Sequence, residues 1–224
     1  MNAPGQPQGA DEAGLRPSRF GETPEELLPD DIREIYAQNR AKVGFVPNVF
    51  RAYAKRPDHF RAFLQYHDLL MRGESGLSRA EREAIVVAVS AENACQYCAT
   101  AHGAALRILS KDPQLAEQIA INWKSAALTP RWRSMLAFAS RVNERGFAAG
   151  DDELEALRGA GFSDTDIWDI AAIAGFFGFS NRMAGLMDMR PNREFYAMGR
   201  TAAPPRPEAA GSARAGAGSS GREA

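Results

Sequence analysis

The sequence predicts an all-α protein, a bundle of helices, and three observations carry that reading. Apolar residues recur at three and four positions, as in Leu27, Leu28, Ile32, Ile35 and Tyr36, which is the period of a helix. Residues that start and stop helices punctuate the chain at matching intervals. No stretch alternates convincingly between apolar and polar as a half-buried strand would.

In chain order, helices are expected near 24–40, 47–55, 57–72, 78–92, 94–110, 112–120, 129–145, 151–159 and 163–190. The first rests on the period just quoted, and the third opens on Pro57. Ser78, with Glu81 three residues later, is a capping box in which hydroxyl and carboxylate satisfy free backbone donors at the start of 78–92. Asn93 with Gln96 reads as the cap of the next helix. Thr129-Pro130, Asp151 and Ser163 mark three further starts, while Gly73, Gly146 and Gly161 follow the preceding ends. The stretch Ile170 to Phe179 is strongly apolar but half of the ~20 residues a bilayer demands, so it reads as a buried helix segment.

Composition narrows the function. Hydrophobic residues make up 45% and charged residues 25% of the 224, ordinary usage for a globular protein. A net charge of -1 disfavours nucleic acid, which needs a basic face to displace counterions. Met1 to Arg19 lacks periodicity and any apolar run of signal-peptide length, so a cytoplasmic protein is expected, with no membrane partner. The Ala, Gly, Pro, Ser and Arg of 201–224 are too poor in apolar residues to build a core. Disordered ends at 1–19 and 201–224 thus flank one helical domain over 20–200.

The two cysteines, Cys95 and Cys98, stand three positions apart. A reducing cytoplasm would not keep a purely structural disulfide, so the pair invites a chemical explanation. At about 100° per residue Cys95, Cys98 and His102 share one stripe of a helix, with Cys98 and His102 neighbours at i and i+4. A helix N-terminus and a nearby histidine both favour thiolate, the reactive form of cysteine. The N-terminus favours Cys95 and the histidine Cys98, and proton transfer to His102 selects Cys98 as the attacking sulfur with Cys95 resolving it. A histidine in that role needs a carboxylate to hold its tautomer, and Glu83 and Glu92 are candidates. On one straight helix Glu83 and His102 would be about 28 Å apart. A reversal at Glu92-Asn93 instead sets residues 83 and 102 level on a helical hairpin.

Glu83, Cys95-Gln96-Tyr97-Cys98 and His102 together resemble the alkylhydroperoxidase D and carboxymuconolactone decarboxylase superfamily, closest to its peroxidase-related branch. Val43-Gly44-Phe45-Val46-Pro47-Asn48 and Phe177-Gly178-Phe179-Ser180-Asn181-Arg182 resemble family segments as well. The resemblance implies an AhpD-like helical bundle and a thiol-dependent peroxidase. In it Cys98 is peroxidatic, Cys95 is its partner, and Glu83 and His102 form the proton relay. It further implies a hydroperoxide substrate, an external dithiol reductant, and a homo-oligomer, trimer or hexamer. Tyr97 departs from alkylhydroperoxidase D itself, which has a second histidine there.

Other readings stay beside this one. Taken alone, Glu83 is a solvated charge beside Glu81 and Arg82, and two buried thiols can simply pack. A zinc or thiol sensor would find three ligands in Cys95, Cys98 and His102 but needs a fourth, so no metal is expected. A decarboxylating lyase of the same superfamily would not require the dithiol. His59 and His67 are assigned no role, and Tyr97 either lines a pocket or packs. Trp123, Trp132, Trp168 and the Phe176-Phe177-Phe179 cluster read as core or interface. Gly175, Gly178 and Gly185 suit a close helix contact or a subunit interface. There is no phosphate loop or dinucleotide fingerprint, so no cofactor is expected.

Overall fold

The computed structural model describes residues 17–144 and 146–200. Among them are ten α-helices, two short 3-10 turns and no strand. The expected tails over 1–16 and 201–224 lie outside the described residues. The folded part reaches further back than the Phe20 boundary: Ser18 is buried, and the Arg19 amide donates to Met187 O at 2.8 Å.

Helix α1 covers Asp30–Val43 and follows a separate 3-10 turn, Glu25–Leu27. The single helix expected over 24–40 is broken because Pro29 has no N–H and holds Leu28 extended at ψ 148°. Gly44, at φ 88°, turns the chain out of α1 in a left-handed conformation that suits a residue without a Cβ. A short helix, α2, Asn48–Tyr53, and a longer one, α3, Pro57–Arg72, then lead into the core.

Helix α4, Arg79–Glu92, begins at the capping box of Ser78 and Glu81 that the sequence predicts. It is the axis of the domain. Ala84 through Ser90 are all buried, and α4 packs against α5 (Gln96–Ser110), α6 (Leu115–Asn122), α7 (Pro130–Asn143) and α9 (Asp164–Met187). A helix buried on nearly every face draws its stability from packing rather than from an amphipathic stripe. Arg82, also buried, donates to Leu77 O, Leu70 O and Gly73 O at 3.2, 3.0 and 2.8 Å. Its guanidinium thereby satisfies carbonyls left over where α3 ends.

Helix α6 begins three residues later than expected, because the Asp112 carboxylate caps Gln114 N and Leu115 N. Helix α7 starts at Thr129-Pro130, and α8, Asp151–Gly159, carries three carboxylates in its first turn. Helix α9 starts on the Ser163 and Asp166 capping box and stops at Met187 rather than 190, where Asp188 turns left-handed at φ 51°. By length and composition α9 could cross a membrane, yet half of its most apolar window is buried inside the protein. The chain's last described helix, α10, Arg193–Ala197, has no strong sequence signal. It is held from outside by Arg107, which donates to Phe195 O and Met198 O on either side of the turn.

Trp168 is 73% exposed and Phe179 52%, so of the core and interface alternatives the core is excluded for both, whereas Phe177 is fully buried. Gly178 faces Arg182 and Asn143, but Gly175 and Gly185 have open space where a Cβ would stand. Burial on α9 follows the face turned toward α4 and α7, not its overall apolarity.

Candidate active site

The hairpin that brings the chemistry together is built from α4 and α5 and the three residues between them. Asn93 does not cap α5: it closes α4, Ala94 reverses the chain at φ 52°, and Cys95 is the N-cap. The Asn93 side chain is engaged elsewhere. Its Nδ2 donates to Asn143 Oδ1 and Asn181 Oδ1, both at 2.9 Å, which ties the reversal to α7 and α9. Gln96, freed from a capping role, donates to the Tyr196 hydroxyl. A left-handed Ala is strained relative to Gly, and the asparagine cluster together with the Cys95 amide, which donates to Ser90 O at 2.8 Å, holds it there.

With the chain reversed, Glu83 and His102 do stand level. Glu83 Oε2 lies 2.7 Å from His102 Nδ1, with side-chain exposures of only 13% and 17%. A carboxylate acceptor fixes the hydrogen on Nδ1 and leaves Nε2 free to take a proton. The Phe177 ring packs edge-on against the imidazole with centroids 4.7 Å apart, narrowing access of water. Glu83 is therefore not the solvated charge its neighbours suggest. Glu92, the other candidate, is excluded by position: it accepts from Ser140, Asn143 and Trp123 at the exposed end of α4.

Cys95 and Cys98 are both reduced and both buried, at 7% and 3% exposure. The two side chains lie close enough for their titrations to be linked. The Cys98 thiol beside Cys95 draws the latter down to about 7 against burial, helped by the Cys98 amide, Asn181 and the charge of His102. The amide faces the sulfur without closing a full capping bond. Cys98 is pushed well up, first by its bond to Cys95, then by burial and by the charge on Cys95. The two sulfurs titrate as a pair, with Cys95 the member drawn down and Cys98 the one pushed up. His102 forms its hydrogen bond with Glu83, whereas Cys98 faces Cys95, Asn181 and Ser180.

Residues that were not singled out individually complete the site. Ser180 Oγ lies 4.0 Å from Cys98 Sγ, and Asn181, whose Nδ2 donates to Ser90 Oγ at 3.0 Å, reaches both sulfurs. Both sit in the Phe177 to Arg182 segment already marked as family-like, the one signal that pointed to them. The Tyr97 hydroxyl accepts from Val49 N at 3.1 Å, so Tyr97 anchors α2 to the dithiol helix. Asn48 and Asn192 clamp the same segment: Asn48 N donates to Asn192 Oδ1 at 2.7 Å and Asn192 Nδ2 to Val46 O at 3.1 Å. His59 is exposed beside Arg56, while His67 stands with its ring 6.1 Å from His102. A cleft of about 360 Å³, mostly apolar, is lined by Glu83, His102, His67, Tyr97 and Phe50 among others. A second cleft of about 480 Å³ opens beside Tyr53, Phe63 and Phe176. Neither is lined by a cysteine sulfur.

The carboxymuconolactone decarboxylase family pattern matches residues 57–141, the span that holds Glu83, both cysteines and His102. The structure of an uncharacterized peroxidase-related protein from Ralstonia eutropha JMP134, described as an alkylhydroperoxidase AhpD core, is 52% identical. The match covers 83% of this chain and 98% of that one, with a TM-score of 0.81. The chain belongs to the alkylhydroperoxidase D and carboxymuconolactone decarboxylase superfamily. A second peroxidase-related protein, from Silicibacter sp. TM1040, is 41% identical over 86% of this chain and 100% of that one, with a TM-score of 0.80. No curated protein matches. An AhpD-like fold and a place beside peroxidase-related proteins are thus both established for this superfamily member.

Proposed function

We propose that the protein is a thiol-dependent peroxidase that reduces hydroperoxides through Cys95 and Cys98, with Glu83 and His102 as its proton relay. One observation carries this reading: two buried, unbridged cysteines three positions apart share a helix with a histidine whose Nδ1 lies 2.7 Å from a carboxylate oxygen. Inert packing does not call for that relay.

In the proposed cycle the proton on Cys98 passes to the Cys95 thiolate or toward His102, leaving Cys98 as the attacking thiolate. Cys98 takes this role because it lies one turn before His102 on α5, where the relay can collect its proton. Cys98 Sγ attacks the terminal oxygen of ROOH, the S–O bond forms as the O–O bond breaks, and RO⁻ takes a proton to leave as alcohol. Cys95 then attacks the sulfenic sulfur and releases water. Two thiols and one hydroperoxide thus become a disulfide, an alcohol and water, and an external dithiol restores the pair. A reducing cytoplasm suits that last step. The exposed Trp168, Phe179 and Leu186 on α9 suit packing between copies of the chain, a trimer or hexamer.

Thiol titration of the reduced protein, before and after one equivalent of cumene hydroperoxide, tests the reading, with mass spectrometry to locate the bridge. Loss of two thiols with a Cys95 to Cys98 disulfide is expected. Cys95→Ser should stop at a sulfenic acid on Cys98, and Cys98→Ser should not react. A sulfenic acid on Cys95 in Cys98→Ser would exchange the two roles. Thiols that persist in the wild type would reject the peroxidase.

A further inference from the structure

The proposed reaction leaves open how a hydroperoxide reaches a sulfur that is 3% exposed and lines neither cleft. One side chain bridges the gap. Tyr53, the last residue of α2, lines the larger cleft, is only 8% exposed, and has a buried hydroxyl with no hydrogen-bond partner. A buried hydroxyl without a partner is costly to keep, and it marks a position where a missing group would be satisfied. By contrast, the hydroxyl of Tyr97, the other tyrosine beside the dithiol, is already engaged by Val49 N.

The surroundings of Tyr53 point toward Cys98. Its ring stacks on Phe63 at 4.4 Å, and Phe63 stacks on Phe176 at 5.2 Å. Phe176 lies one helical turn before Ser180, so the two share a face of α9, and Ser180 is the residue that touches Cys98. Burial, and after it the charge Cys98 carries when ionised, hold the Tyr53 phenol well above its ordinary value. The phenol therefore stays protonated and can act as a donor at any physiological pH. The cleft it closes is walled by Phe63, Tyr66, Phe176 and Phe179, with Ala62 at its edge.

We propose that this aromatic cleft is the entrance to the dithiol, and that the Tyr53 hydroxyl is a catalytic donor to the hydroperoxide. The substrate it suits is a hydroperoxide carrying an aryl or other bulky apolar group. As Cys98 attacks the terminal oxygen, negative charge develops on the oxygen that stays with R. Tyr53 O–H donates a hydrogen bond to that oxygen without giving up its proton, and the proton that completes ROH comes from the relay. The cleft facing Glu83 and His102 then serves proton exchange. This inference rests on the peroxidase reading, but it can fail while that reading stands.

The test uses single-turnover oxidation of the reduced full-length protein, with cumene hydroperoxide and hydrogen peroxide compared across wild type, Tyr53→Phe and Ala62→Trp. Tyr53→Phe should oxidise at least about tenfold more slowly with both, the worth of one hydrogen bond to an oxygen that is gaining charge. Its alkylation by iodoacetamide at pH 7 should be unchanged, since no oxygen departs in that reaction. Ala62→Trp, by obstructing the entrance, should lower the ratio of cumene hydroperoxide to hydrogen peroxide rate constants at least fivefold. Tyr53→Phe oxidising at the wild-type rate would overturn the donor, and so would an equal slowing of alkylation. An unchanged ratio in Ala62→Trp would overturn the entrance. A wild type that resists both peroxides would overturn the peroxidase reading and this inference together, whereas an oxidisable wild type confines any failure to Tyr53 and the cleft.

Discussion

Replacing Glu83 by Gln separates the relay from the rest of the fold. The change keeps the size of the side chain and an oxygen that can accept from His102 Nδ1, but it removes the charge from a 2.7 Å contact that is mostly out of water. A hydrogen bond with a charged partner contributes about 1.5–3 kcal/mol, and a neutral one about 0.5–1.5. The difference, about 1–2 kcal/mol, falls on the protonated state of His102, which the relay has to form. Single-turnover oxidation at pH 7 should therefore slow about 5- to 30-fold. Toward alkaline pH solvent hydroxide takes over removal of the thiol proton, and the defect should narrow. Rates measured across pH 6 to 10 on wild type and Glu83→Gln decide the matter. A deficit of the same size at every pH would mean the substitution disturbs packing, and no deficit at pH 7 would remove Glu83 from the mechanism.

Other consequences can be checked with the same protein. Iodoacetamide should alkylate the reduced dithiol with an inflection near pH 7, because Cys95 is lowered and its thiolate is lost as pH falls through that value. The rate at pH 5 should be about a hundredfold below the plateau. Since the Cys98 thiol is the main cause of the lowering, Cys98→Ala should move the inflection upward by at least one pH unit, and an unmoved inflection would contradict the linked titration. Arg82→Met leaves three buried carbonyls without their donor and should cost about 3 kcal/mol in urea unfolding, with a loss under 1 kcal/mol showing that water replaces the guanidinium.

The parts of this molecule legible in the sequence are those whose cause is local. Capping boxes at Ser78 and Ser163 announce their helices because the groups that satisfy the first turn lie within three residues of each other. The pairing of Glu83 with His102 follows from a reversal and a count along two helices. What escaped is set by distant partners. Asn93 looks like a cap until Asn143 and Asn181, 50 and 88 residues on, claim its side chain. Helix α10 exists because Arg107 reaches its carbonyls, and no propensity in 193–197 announces it. Which sulfur ionises first depends on the neighbours each meets after folding, above all on each other, a comparison that spacing along one helix cannot make.

Helix α4 holds Glu83 on the same rigid rod whose remaining residues are the middle of the core. Catalytic alignment and thermal resistance are consequently drawn from one set of contacts. A library randomised at Ile85, Val86, Val87 and Val89 and screened only for survival at high temperature would return members whose relay is still in register. Loosened variants would lose alignment before they lose their helices. For anyone engineering this scaffold, the freedom lies in the exposed faces of α1 and α8, which can be rewritten without disturbing the rod.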